Sequence, residues 1–395
     1  QESAPYYHAN RVASMLSRLN NALLIYGSAT PPVSEYYVAK SKNIPIVRMK
    51  KLASSDVKTG TTVKIVDLKS SQEVTNYPLI SKSLLSSIER KLKSRQQILL
   101  FLNKRGTSRS VLCQDCGWKI SCPNCDIALT FHEDRHNLLC HTCGYTCSPP
   151  KNCLECGSVD IFFKSPGTKA IETSLKKAFP SSTVARFDKD NIKKDRIESR
   201  YQEVSTGKID ILIGTQLLSK GHDLPRLGLA AMLSADNSLM FPDYTSEEKT
   251  YQLIRQLYGR INRGHTSNGE FIIQTYSPNS QLIKQATEGS YEEFYEQQIK
   301  QRELLGFPPF MHSLKIESSA VKKNTAIKRL DEACSRLNRV NKLKIIGPSP
   351  AFKEKRSGKF YWQVIVCAKN RQLLADVSKN IKAPLKAELD PTNFL

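Results

Sequence analysis

Nine of the eleven cysteines fall between Cys113 and Cys156. Eight of them form four Cys-x-x-Cys pairs: Cys113/Cys116, Cys122/Cys125, Cys140/Cys143 and Cys153/Cys156. Thiolates at that spacing grip a metal ion from one backbone turn, and eight sulfurs fill two tetrahedral four-cysteine zinc sites. Three pairings of the knuckles satisfy the count. The two inner pairs are separated by 14 residues, close to ribbon spacing, and Ala128–Phe131 with Asn137–Leu139 can form the hairpin that joins them. The outer pairs then hold the second ion and close the insertion at its base. A site with four thiolates has no open position, so both ions are expected to be structural and not hydrolytic. Cys147 is left over as a spare thiol. Cys334 and Cys367 are isolated and read as small buried apolar residues. A thiol-redox role is the weaker reading of these pairs, because redox motifs rarely come as four knuckles.

Two other patterns imitate chemistry. His132-Glu133-Asp134-Arg135-His136 fits the His-Glu-x-x-His of zinc proteases, but that motif needs a helix and this one falls at the turn of the ribbon hairpin. Asp331-Glu332-Ala333-Cys334 resembles an ATPase acidic box, yet it lies inside an amphipathic helix pattern (Ile327, Leu330, Ala333, Leu337) and not after a buried strand.

A second constellation surrounds an apolar strand. Asp210–Gly214 empties into Thr215 and Gln216 and then a polar loop, Leu217 to Pro225, with Lys220, Gly221, His222 and Asp223. Ligands of open α/β sheets bind outside the carboxyl ends of strands, where Thr215 and Gln216 are expected. A helix from about Ser246 follows, its first turn carrying Glu247 and Glu248 and its apolar stripe read as Tyr251, Ile254, Tyr258 and Ile261. Gln256, Arg260 and Arg263 fall at i, i+4 and i+7, broadly one face. Two arginines aimed at a γ-phosphate neutralise transition-state charge as an arginine finger does.

The remaining chain must position these groups. It has 395 residues, 59 Lys/Arg against 37 Asp/Glu, and a net charge of +22. Its pI near 9.5 points to a polyanionic partner. The last 85 residues hold 18 Lys/Arg and 7 Asp/Glu, so +11 of the excess is C-terminal, as in a dedicated backbone-contacting module. No apolar run approaches the roughly 18 to 20 residues of a membrane span and no basic-then-apolar leader is seen, so a cytoplasmic, nucleoid-associated chain is expected. Strands are expected at 22–26, 59–68, 97–102, 160–163, 183–187 and 210–214, with helices at 7–19, 79–93, 168–178 and about 194–205. Their alternation predicts an α/β lobe with a parallel sheet. Beyond Gly306-Phe307-Pro308-Pro309 the spacing predicts strand 312–318, helix 321–340, strands 343–346 and 360–367, and helix 371–381, a separate small α+β domain.

The ordered motifs resemble those of superfamily 2 helicases. Gly27-Ser28-Ala29-Thr30-Pro31 is similar to motif III, Leu99–Gly106 to motif IV, Asp210–Pro225 to motif V and Gln256–Arg263 to motif VI. Two zinc sites inserted between motifs IV and V resemble one family in particular, the primosomal protein N′ replication-restart helicases. Tyr7–Ala13, Ile273–Tyr276, Gly306–Phe310 and Leu389–Pro391 also look like stretches of that family. The resemblance implies a RecA-like helicase lobe with an inserted double-zinc ribbon module and a C-terminal α+β, ribosomal-S10-like domain. It divides the chain into a remnant of helicase lobe 1 (1–50), lobe 2 (51–106 and 159–285), the zinc insertion (107–158), and linker helices with the basic domain (286–395).

By the same resemblance Ser28, Ala29 and Thr30 couple ATP state to DNA grip. Thr215, Gln216, Lys220, Gly221 and His222 face DNA or the interlobe cleft. Gly221, Asp223, Arg260 and Arg263 meet the nucleotide, with Arg263 the better finger and Gln256 beside it. Implied cofactors are two structural Zn2+, with ATP and Mg2+ in the full-length protein. Implied partners are branched and single-stranded DNA, single-strand-binding protein and primosome proteins; a monomer is expected. The implied role is ATP-dependent 3′-5′ DNA unwinding that restarts replication at stalled forks. Ser165, Lys169 and Asn262 depart from the family pattern, and Tyr258 and Ile261 replace small residues. No Gly-x-x-x-x-Gly-Lys-Ser/Thr occurs in the sequence. The chain is therefore expected to be the C-terminal part of a longer protein, beginning inside lobe 1 and inactive alone. The alternative is a non-enzymatic, zinc-stabilised DNA-binding primosome scaffold with decayed helicase motifs.

Overall fold

The computed structural model describes residues 8–49, 60–103, 111–133, 135–162, 167–187, 200–215, 224–261 and 268–394. The chain divides into two compact units, one of residues 1–45 with 299–394 and one of residues 46–298.

The first unit opens with helices α1 (Ala9–Leu19) and α2 (Val33–Ser41). The strand expected at 22–26 does not form. Leu23, Ile25 and Tyr26 are 87, 79 and 54% exposed, and no described strand lies alongside to supply ladder hydrogen bonds.

The larger unit contains β1 (Thr62–Asp67), α3 (Lys82–Lys93), β2 (Gln97–Phe101), the zinc arm, α4 (Thr168–Ala178), β8 (Val184–Phe187), α5 (Tyr201–Ser205), β9 (Ile211–Gly214), β10 (Leu227–Met232), α6 (Asp236–Leu239), α7 (Ser246–Ile261), β11 (Glu270–Thr275), α8 (Gln281–Thr287) and the first turns of α9 (Tyr291–Leu305). Its six strands lie in the order β1-β11-β10-β2-β9-β8, and every pair is parallel. Parallel strands need crossover helices, which cover both faces and make the strands continuously apolar. Gln-Ile-Leu-Leu-Phe of β2 and Ile-Leu-Ile-Gly of β9 are buried throughout. Ile98, Leu100, Ile211, Ile213, Leu229 and Ile272 face α3 and α4 through Leu84, Ile88, Ile171 and Leu175. The alternate residues turn toward α7, where Tyr251, Ile254, Leu257 and Ile261 are buried. Leu257 thus takes the core position expected of Tyr258, which is half-buried against Phe271. Strands β10 and β11, unforeseen in the sequence, stand at the middle of the sheet.

The zinc arm supplies β3 (Leu112–Cys113), β4 (Thr130–His132), β5 (Asn137–Leu139), β6 (Thr146–Cys147) and β7 (Ile161–Phe162). The last was expected to continue the main sheet. It pairs instead with β3, Leu112 against Phe162 and Cys113 against Ile161, and seals the base of the insertion. The helix expected at 194–205 is described only from Tyr201.

The first unit resumes with β12 (His312–Ala320), α10 (Lys323–Leu337), β13 (Lys344–Arg356), β14 (Lys359–Ala368), α11 (Arg371–Asn380) and β15 (Leu385–Leu389). The sheet order β13-β14-β12-β15 with β-α-β-β-α-β connections is the split βαβ arrangement. Leu330, Leu337, Leu374 and Val377 of the helices pack on Leu314, Ile316, Val364 and Val366. The closing strand β15 is an addition to the expected pattern.

Candidate functional site: the zinc arm and its supporting lobe

Each knuckle is the same backbone turn. The N–H four residues after the first cysteine donates to that cysteine's carbonyl: Gly117 to Cys113, Asp126 to Cys122, Gly144 to Cys140 and Gly157 to Cys153, at 3.0, 2.9, 2.9 and 3.0 Å. That residue turns left-handed in all four, with φ of 79, 52, 80 and 74°. Glycine takes this conformation without strain, and aspartate is among the few other residues that tolerate it. The recurring Cys-x-x-Cys-Gly, with one aspartate, is thus the turn chemistry that aims two sulfurs at a common point.

The knuckles pair in the nested order. Cys113, Cys116, Cys153 and Cys156 form one group and Cys122, Cys125, Cys140 and Cys143 the other, with all sulfurs of each group within 4.8 Å of one another. Sulfur separations of 3.6 Å (Cys113–Cys156), 3.5 Å (Cys116–Cys153) and 3.5 Å (Cys122–Cys143) approach the edge of roughly 3.8 Å that four Zn–S bonds of about 2.3 Å require. The donor set and spacing fit a structural zinc ion at each group. Burial pushes the Cys116 thiol up to about 12. A divalent cation offsets that cost by favouring the thiolate, so zinc uptake releases protons.

The inner site sits on a small core of its own, with Ile127, Leu129, Phe131, Leu138 and Leu139 buried. Cys147 lies on β6, paired with Leu138 and outside both sulfur groups. His132 and His136 flank the β4–β5 turn, where His136 has φ of 47°. They do not share a helical face, which removes the protease reading. His132 Nε2 instead meets His141 Nε2 at 3.2 Å.

The outer knuckle rests on the lobe. A Cβ at Gly117 would overlap the Tyr276 carbonyl oxygen, so the backbones touch directly. Tyr276 is held from two further sides. Its carbonyl accepts from Lys69 Nζ at 2.7 Å, and its N–H donates to Asp236 Oδ2 at 3.0 Å. The Thr275 hydroxyl donates to the other Asp236 oxygen at 3.1 Å. Asp236 is 1% exposed; burial pushes its carboxyl up despite these two hydrogen bonds. One residue earlier, the buried Gln274 amide donates to the Leu79 and Leu233 carbonyls and accepts from Ser81 N–H. The sequence marked Ile273–Tyr276 only as a resemblance. Its polar residues fasten the end of β11, which carries the zinc arm.

The residues expected to couple nucleotide to DNA fall, where described, into three places. Ser28 and Ala29 are exposed, and Thr30 is buried, its N–H donating to Ser28 Oγ at 3.1 Å. Thr215 directly follows β9, half-buried, at the carboxyl ends of the strands. Gln256 is exposed and Arg260 half-buried on α7, one turn apart. Helix α7 runs back against the strands, and Ile261 packs on Gly269 just before β11 begins. Thr215 and Arg260 therefore stand at opposite ends of the sheet, separated by a strand length of roughly 15 Å. Gln216, Lys220, Gly221, His222, Asp223 and Arg263 lie outside the described residues, as do Ser165 and Asn262.

A parallel α/β lobe bearing two nested four-cysteine sites, followed by a basic split-βαβ domain, defines a zinc-stiffened α/β chain of the RecA-like lobe class anticipated from the sequence. Residues 122–147 match the "PriA DNA helicase Cys-rich region (CRR) domain" and residues 303–391 the "Primosomal protein N C-terminal domain". The chain belongs to the PriA family. It is 32% identical to the "Replication restart protein PriA" of Haemophilus influenzae, over 100% of this chain and 55% of that protein. It is 34% identical to the protein of the same name from Bacillus subtilis, over 100% of this chain and 49% of that one. The chain thus spans about half the length of these curated relatives. Among solved structures, "S. cerevisiae Dbp5 bound to RNA and ADP BeF3" aligns with 73% of this chain and 57% of that one, at 12% identity and a TM-score of 0.34. No helix among the described residues is long and apolar enough to cross a membrane.

Proposed function

We propose that this chain is the C-terminal part of an ATP-dependent 3′-5′ DNA helicase that recognises stalled or branched replication forks and restarts replication through primosome assembly. The observation that carries the reading is its identity of 32 to 34% across the whole chain with two replication restart proteins. In this reading the lobe is a rigid transmission element. Arg260, near the amino ends of the strands, and Arg263 meet the γ-phosphate held by a partner lobe, with Gln256, Gly221 and Asp223 completing the nucleotide contacts. Thr215, Gln216, Lys220 and His222, following β9, contact the DNA backbone. Ser28, Ala29 and Thr30 serve the same coupling. ATP-driven closure of the two lobes shifts the second set when the first engages. ATP and Mg2+ supply the phosphoryl chemistry, and the chain's own contribution is charge stabilisation and positioning. The structural zincs stiffen the arm, which contacts the fork or partner proteins. Single-strand-binding protein and primosome proteins are the proposed partners of a monomer acting at the nucleoid in the cytoplasm.

Replacing Arg260 with alanine in the chromosomal gene tests the reading. Cells are expected to fail to resume DNA synthesis after fork stalling while the protein level holds. Normal resumption would contradict the proposal.

A further inference from the structure

The β13–β14 hairpin of the first unit collects charge and aromatic rings at its open end. Lys353, Lys355, Arg356 and Lys359 are exposed, and Glu354 is the one acid between Pro350 and Trp362. Three consecutive rings, Phe360, Tyr361 and Trp362, follow on β14, and each lies beneath a cation. Lys355 Nζ is 5.4 Å from the Phe360 centroid, the Arg356 guanidinium 4.4 Å from that of Tyr361, and Lys323 Nζ 5.2 Å from that of Trp362. These contacts could serve only to stiffen the hairpin. Two cations also have carboxylate partners: Arg356 meets Glu317 and Lys323 meets Glu354, both at 3.5 Å. Lys353, Lys355 and Lys359 have none among the described residues. Three uncompensated ammonium groups repel one another and destabilise a hairpin tip, which a purely structural role does not explain.

The topology selects the ligand. In a split-βαβ sheet, rings on the central strands stack unpaired bases on the helix-free face. Here β14 is a central strand. Val364 and Val366 point to the helices, so Tyr361 and Gln363 point the other way. The middle of that face is filled by the chain's own end, since Gln363 Nε2 donates to the Phe394 carbonyl at 2.7 Å. The portion left open is the hairpin end, at Tyr361 and its neighbours. Duplex DNA offers phosphates but hides its base faces, whereas an unpaired strand offers both.

We infer that the β13–β14 hairpin end is a single-strand grip, with Tyr361 stacking an unpaired base and Lys353, Lys355 and Lys359 holding the flanking phosphates. This deepens, and rests on, the proposed DNA-binding function. The test measures anisotropy of the full 395-residue chain with a labelled oligo-dT 15-mer and with a 15-mer of abasic residues on the same backbone. Tyr361→Leu keeps apolar bulk but removes the ring. It is expected to weaken oligo-dT binding roughly fivefold or more and leave the abasic strand within about twofold. Lys355→Gln/Lys359→Gln, at exposed positions, is expected to weaken both strands and lower the salt slope by roughly 1.4. Retained abasic binding by the leucine variant shows that it folds. Equal loss on both strands in that variant, or no loss in either variant, overturns the grip and leaves DNA binding by the chain in place. Unchanged DNA binding with lost binding of a polyglutamate peptide in the lysine variant assigns the hairpin to an acidic protein and also overturns it. Failure of the unsubstituted chain to bind either strand removes the parent reading as well.

Discussion

Individual residues carry the zinc arm, and they were the most legible part of the sequence. A Cys-x-x-Cys pair can only aim inward, so counting knuckles and measuring the gaps between them was enough to give the nested pairing. The pairing can be tested by zinc content. Cys116→Ser/Cys153→Ser removes one ligand from each outer knuckle and is expected to lower bound zinc from two per chain to one, since both sulfurs serve one group. Sequential pairing of neighbouring knuckles would leave both sites damaged. Of the two isolated cysteines expected to be buried, Cys367 is, which pushes its thiol up to about 11 and leaves it inert, whereas Cys334 is half-buried against the core of the C-terminal domain. What the cysteine pattern did not disclose was the contact at Gly117, because nothing in the spacing says which knuckle lies on the lobe. Gly117→Ala adds left-handed strain and a collision with Tyr276, whereas Gly157→Ala adds strain alone in open space. Thermal melts of the zinc-loaded chain are expected to show a loss of about 1 kcal/mol for Gly157→Ala and at least twice that for Gly117→Ala. Equal losses would mean that the knuckle does not bear on the lobe.

At the scale of elements, the apolar strands β1, β2, β8 and β9 announced themselves in the sequence, but β10 and β11, between β1 and β2, did not. Leu-Gly-Leu-Ala-Ala-Met of β10 is buried on both faces, so it lacks alternation, and its small residues carry weak strand preference. Register and strand order arise from long-range pairing that no local pattern encodes. The short segments that resembled a family without an evident task now have physical roles. Asp390, in the closing stretch Leu389–Pro391, is the hub of the first unit. Its carboxylate meets Arg11 at 2.7 Å, Arg371 at 2.8 Å and His312 at 3.0 Å, and its carbonyl meets His8. Burial pushes this carboxyl up, but the His312 hydrogen bond and the arginine charges outweigh it and hold it well below the usual carboxylate range. A depressed carboxyl stabilises the fold at neutral pH, and that contribution is lost as pH falls below the ordinary value near 4. Asp390→Asn is expected to cost about 2 kcal/mol at pH 7, with the gap to the unsubstituted chain narrowing on acidification in denaturant titrations. A constant gap from pH 7 to pH 3 would show that the ion cluster contributes nothing.

Over the whole molecule, charge is the feature that composition reveals and folding organises. The net +22 is weighted toward the C-terminal domain, and the lobe places Thr215 and Arg260, both proposed for coupling, at opposite ends of one sheet. Both arrangements suit a protein that grips a polyanion while responding to a nucleotide. The sequence singles out Thr215 and Arg260 but not their separation, which depends on the direction in which α7 returns along the strands. The most direct measurement is equilibrium binding of the zinc-loaded 395-residue chain to a forked DNA and to a blunt duplex of equal length, across a salt series. The account predicts tighter binding to the fork at every salt concentration, with affinity for both falling steeply and linearly in log salt as phosphate contacts release counterions. Equal affinity for the two DNAs, or binding that ignores salt, would contradict it.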